Sequence, residues 1–118
     1  MGHDIEQAQE GICARFEAKF MPTDETYKLG MSDSAMRYEQ PLNGLRHPPE
    51  SGTSGWFIWG GEQLGSDPGF FKPIHVHHVR ELCPAVLPYL ALPPGWRFLI
   101  ADGCEDVWFD EALLNPSP

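Results

Sequence analysis

The chain has 118 residues, enough for one ordinary domain that buries a core without staples. Hydrophobic residues make up 42% and charged residues 21%, a balance that excludes a disordered segment and a membrane protein alike. Seventeen acids against eight bases give a formal charge of −9, which opposes contact with nucleic acid or an anionic lipid surface.

From His3 to Phe20 the apolar residues Ile5, Ala8, Ile12, Phe16 and Phe20 recur every three or four positions, which predicts an amphipathic helix over residues 1–21. Asp4 suits its N-cap, and Pro22 stops it because the residue before a proline disfavours helical dihedrals. Residues 22–53 lose the periodicity and carry enough Pro, Gly and Ser to read as an irregular connection with room for one short strand. Trp56 to Trp59 is a strand apolar on both faces, hence central, ended by Gly60 and Gly61. Asp67, Pro68 and Gly69 form a turn, and Phe70 to Val76 is a second strand that Pro73 consigns to a sheet edge. His77 to Cys83 reads as a short helix, restarted at Pro84 and broken by Pro88. Trp96 to Ala101 and Asp106 to Phe109 pair as a hairpin across a turn of Asp102 to Glu105. Asp110 can cap a last turn through Leu114, with NPSP as a frayed tail. The expected fold is α+β: a single compact domain over 1–118 with a small, mostly antiparallel sheet, the N-terminal helix and short, proline-broken helices.

The run HVHH is the sharpest chemical signal, since neutral imidazoles are common metal ligands. His75 and His77 could share a strand face, or His75 and His78 a helix face. A zinc site needs more, and Cys83, His47 and Glu81 complete no recognised spacing, so neither a metal nor any other cofactor is expected. A small metal-dependent hydrolase using His75, His77 and His78 is the rival reading. Cys83 before Pro84 could be an activated thiolate or a plain buried cysteine. WGGEQLG lacks the lysine and hydroxyl residue of a phosphate loop. The acids Glu62, Asp67, Glu105, Asp106, Asp110 and Glu111 are too numerous for spacing to pick a catalytic pair, and no catalytic residue is assigned. A tryptophan-lined ligand pocket is a third reading, although Trp56, Trp59 and Trp96 lie in strands and belong in a core.

The three cysteines, Cys13, Cys83 and Cys104, are odd in number and far apart, which suits a reducing cytoplasm better than a disulfide framework. The N-terminus has no basic stretch leading into an apolar one, and no apolar run approaches the roughly 20 residues that cross a bilayer. After Arg97 come five acids and no base: Asp102, Glu105, Asp106, Asp110 and Glu111. Trp108 alternates with Asp106 and Asp110 and is the tryptophan expected on the surface.

The segments SGWFIWGGE, DPGFFKP, CPAVLPYLALPPGWRFL and EDVWFDEALL together resemble a bacterial family of small immunity proteins, the thirty-third class, found in polymorphic-toxin and polyimmunity loci. The resemblance covers about half the chain and rests on Ser54, Gly55 and Trp56 opening the strand, Gly61 and Glu62 after it, and CPAVLPYL leading to Pro94 and Gly95. It makes residues 54–114 the family-like core. It implies an α+β, cytoplasmic protein that neutralises a toxin by binding it, with no cofactor and no catalytic residues. Joined to the charge pattern, it suggests a basic protein partner met by Asp102, Glu105, Asp106, Trp108, Asp110 and Glu111.

Overall fold

A computed structural model describes residues 2–62, 65 and 69–114. Six strands, β1 (Lys28–Ser32), β2 (Leu42–Arg46), β3 (Thr53–Gly60), β4 (Phe71–His75), β5 (Trp96–Ala101) and β6 (Cys104–Phe109), form one sheet in the order β4-β1-β3-β2-β5-β6. β1 and β3 run parallel and the other four pairings are antiparallel, so the sheet is mixed and the fold is α+β. The chain steps from β1 through the helical turn α2 (Asp33–Met36) to β2, then returns as β3 into the gap between them. Ser32 starts α2 by accepting a hydrogen bond from the Ala35 backbone N–H at 3.2 Å.

Residues 22–53 therefore carry two strands and a helical turn where an irregular connection with room for one short strand was expected. β2 is the sequence LNGLR, poor in strand-forming residues, and its position between β3 and β5 makes it a strand, with all five residues buried. Gly44 is the reason those neighbours fit: a Cβ there would lie 2.2 Å from the Phe98 ring, which fills the space above it. The pairing of β1 with β3 shifts between Lys28↔Thr53 and Gly30↔Phe57, a bulge in β3. Gly55 makes it possible with φ of 91°, and its backbone passes so close to His47 that a Cβ would sit 2.0 Å from the His47 carbonyl oxygen.

The helices lie on one face of the sheet. There Trp56, Ile58, Met31, Leu42, Phe98 and Val107 meet Ile12 and Cys13 of α1 (Gly2–Arg15), Val79 of α3 (Val79–Leu82), and Val86 and Leu90 of the 3-10 segment that follows. Trp56 is 1% exposed, and its indole N–H donates to the Leu90 carbonyl at 3.1 Å. α1 is shorter than its periodicity predicts. Glu17 takes φ of 57°, and the N–H groups of Ala18 and Glu17 turn back to the carbonyls of Cys13 and Ala14, a Schellman ending well before Pro22. Phe16 and Phe20 still pack on the core, which is why the repeat outlasts the helix, whereas Ala8 is exposed. Gln9 ties α1 to the 3-10 segment through the Leu87 carbonyl at 2.9 Å.

Arg46 is buried on the same face without a carboxylate partner among the described residues. It donates to the carbonyls of Ser54 at 2.9 Å and of Met21 and Leu92 at 2.8 Å, and lies over Trp56. Burial lowers its pKa to about 10.

The opposite face has no helical layer of comparable extent among the described residues. Leu45, Trp59 and Leu113 form its buried centre, with Phe57, Phe70 and Phe71 packed around them. Leu113 belongs to the 3-10 turn Glu111–Leu114, which Asp110 caps by accepting from the Ala112 N–H at 3.1 Å. The β5–β6 turn is tighter than the expected Asp102 to Glu105: Ala101 pairs with Cys104, leaving only Asp102 and Gly103, with φ of 72° at Gly103. The turn expected at Asp67 and Pro68 and the NPSP tail lie outside the described residues.

Candidate functional site

The five C-terminal acids do not share one surface. Because β6 begins at Cys104, Glu105 and Val107 point to the helical face, whereas Asp106 and Trp108 point to the other. Glu105 is held there by Arg15 of α1 at 2.6 Å and by the Tyr89 hydroxyl, which donates to it. The hydrogen bonds from Arg15 and Tyr89 hold its carboxyl below the usual range, and burial, with the adjacent carboxylate, pushes the Tyr89 hydroxyl up. Asp110 pairs with Arg97 at 3.1 Å besides capping the last turn. Asp102, Asp106 and Glu111 are exposed or nearly so and form no ion pair with a described residue.

Trp108 is half-buried beside these acids. Arg97 faces it across the strand pair, with the guanidinium 5.4 Å from the ring centroid. In register, the same row of the sheet runs from Trp108 and Arg97 to Leu45 and Phe57. This face thus presents a tryptophan at the sheet edge, with the Arg97 guanidinium between it and the Leu45 and Phe57 side of the sheet and Asp106 on the same side of its strand. Sequence reasoning placed Trp108 beside acids and missed Arg97. The signal was the Asp102-Gly103 pair, which as a two-residue hairpin loop sets the register that puts Arg97 opposite Trp108.

The structure brings together the three histidines that the sequence offered only in pairs. β4 ends at His75, and a 3-10 turn over Val76–His78 follows at once. Val76 and Val79 turn into the core, so His75, His77 and His78 all emerge on the exposed side, with one ring nitrogen of each within 4.8 Å of the others. Cys83, His47 and Glu81 do not join them. Cys83 is wholly buried and burial pushes its thiol up to about 11, so the activated-thiolate reading is replaced by that of a core cysteine. His47 instead reaches the Leu113 carbonyl at 3.2 Å and meets the Phe57 ring edge-on.

Between α1 and α3 lies a cleft of about 450 Å³, whose lining includes Ile5, Gln9, Phe20, Glu25, His77 and Arg80. Another of about 300 Å³ lies by Tyr38, Leu42 and Ile100. Neither is lined by a tryptophan: Trp56 and Trp59 are buried, and Trp96 packs half-buried against Phe109. Asp67 lies outside the described residues.

These features sit on a chain whose residues 8–110 match the family model of the Imm33-like domain. The chain belongs to that family, a family of immunity proteins, and the match takes in most of α1 and all six strands. Comparison with curated proteins and with solved structures returned no match. No helix among the described residues is long and apolar enough to cross a membrane.

Proposed function

We propose that this protein neutralises a cognate toxin by direct, non-catalytic binding, with Asp106, Trp108 and Glu111 at the contact and Asp102 at its edge. Family membership over residues 8–110 is the observation that carries the reading. Glu105 and Asp110 support the surface from behind, the first by joining the hairpin to α1 and the second by holding Arg97 under Trp108. A half-buried tryptophan backed by a stacked guanidinium is a pre-organised anchor, the residue type that dominates binding energy at interfaces. The acids around it suit a basic partner, whose approach they would steer. Cytoplasmic placement belongs to the same proposal, in keeping with Cys13 and Cys83 as free thiols inside the core.

The test is capture of, and protection against, the product of an adjacent toxin-like gene. The wild-type chain should bind that product and rescue cells expressing it, while Trp108→Ala should fold and bind about tenfold or more weakly. A chain that neither captures nor protects, and instead hydrolyses a phosphoester or ester in a histidine-dependent way, would replace this reading with a metal-dependent hydrolase.

A further inference from the structure

We propose that His75, His77 and His78 form a binding site for one divalent zinc-like ion, independent of the toxin-binding surface. Ring centroids of the trio stand 5.6 Å apart for His75 and His77, 6.3 Å for His75 and His78, and 4.0 Å for His77 and His78. Zinc takes imidazole nitrogens at about 2.0–2.1 Å in a tetrahedron, which sets neighbouring donors roughly 3.3–3.5 Å apart. One ring nitrogen of each histidine already lies within 4.8 Å of the others, so binding the ion asks for a further approach of the exposed rings. None of the three rings is tied by a hydrogen bond or ion pair to a described residue, so rotation breaks no contact of that kind.

The backbone beneath the rings is fixed, which separates this group from a floppy histidine tract. Val76 and His77 donate backbone hydrogen bonds to the carbonyls of Tyr27 at 2.8 Å and Glu25 at 3.2 Å. Val79 is fully buried, and β4 pairs with β1 through His75 itself, opposite Lys28. Donors held on rigid elements lose less freedom on binding an ion.

The donor set also selects the ion. Among the described residues no carboxylate joins the three rings, and Arg80 nearby is engaged by Glu25 at 3.5 Å. An all-nitrogen site suits zinc, nickel or copper and offers calcium or magnesium none of the oxygen ligands they require. Three protein ligands leave a fourth position open, and His77 sets it at the edge of the 450 Å³ cleft, where water or a small anion can complete the shell.

Untagged full-length protein, purified without a metal column, should compete with a chromophoric chelator for zinc at micromolar concentration and take about one ion per chain. Millimolar magnesium or calcium should not displace it. His75→Ala and His78→Ala should each weaken zinc binding about tenfold or more, since loss of a ligand costs at least as much as loss of a supporting group. Their melting curves without metal should match wild type because both side chains are exposed; should one variant fail to fold, the other decides. Cobalt in place of zinc should give visible bands that the His78→Ala variant loses and Cys104→Ser keeps. Failure to compete at micromolar chelator overturns the site, as does affinity unchanged by both histidine variants, or a cobalt spectrum that depends on Cys104.

Discussion

Glu105 shows what counting charges along a sequence leaves out. It stands in sequence between Asp102 of the turn and Asp106 of the strand, yet the alternation of β6 turns it to the helical face, towards Arg15 and Tyr89, where it works as a joint between sheet and helix. Its folded pKa lies below its ordinary value of 4.5, so its ionised form stabilises the fold above that pH, and the contribution is lost as pH falls through the lowered folded value. Glu105→Gln should therefore melt below wild type at neutral pH, and the gap should narrow as pH drops below about 4. Melting temperatures of both proteins across that range test it. A gap that stays constant into strong acid would mean that shape and neutral hydrogen bonding, not charge, hold the joint. Trp56 and Trp108 were separable by their neighbours in the sequence, whereas Arg46 was not legible at all: nothing local marks an arginine that is satisfied by three distant carbonyls.

Elements whose own side chains demand burial on both faces were legible, and those made into strands by their surroundings were not. WFIW in β3 has apolar residues on both parities and sits in the interior of the sheet, while the hairpin alternation of β5 is visible residue by residue. LNGLR has no such pattern; β2 exists because the edges of β3 and β5 need hydrogen-bonding partners and because Gly44 leaves room for Phe98. That dependence makes Gly44→Ala informative. The added methyl has no open space, so the Phe98 ring must shift within a packed core, at a cost of about 1–3 kcal/mol or more. Adding Phe98→Leu should recover part of the loss and give a favourable coupling between the two changes in urea denaturation. Strictly additive losses would show that the backbone of β2, not the ring above it, limits what position 44 accepts. The same logic explains the histidines: the sequence could weigh a strand or a helix, and it took the passage from β4 into a 3-10 turn to put all three on one side.

On the scale of the whole molecule, the proposed reading gives the two faces of the sheet different tasks. One face carries the helices and most of the core, and the other carries an aromatic cluster, Trp108 over Arg97, and Asp106, which has no ion pair among the described residues, with Glu111 on the closing turn. With a formal charge of −9, the chain as a whole would attract the basic partner proposed above, but only local acids would set the orientation in which Trp108 arrives. Reversing Asp106 and Glu111 to lysine together should slow association with the cognate toxin about tenfold at low ionic strength. It should also flatten the salt dependence, because screening over about 10 Å at 0.1 M already removes what the acids supply. Melting should be almost unchanged, as neither residue is ion-paired within the described chain. Glu105→Lys is the contrasting variant: it places a cation against Arg15 and should damage folding before it affects binding. Stopped-flow association at several salt concentrations, set beside the melting curves, separates the two effects. If the double reversal leaves both rate and salt dependence at wild-type values, this end of the sheet is not where the toxin docks, and the contact must be sought elsewhere on the molecule.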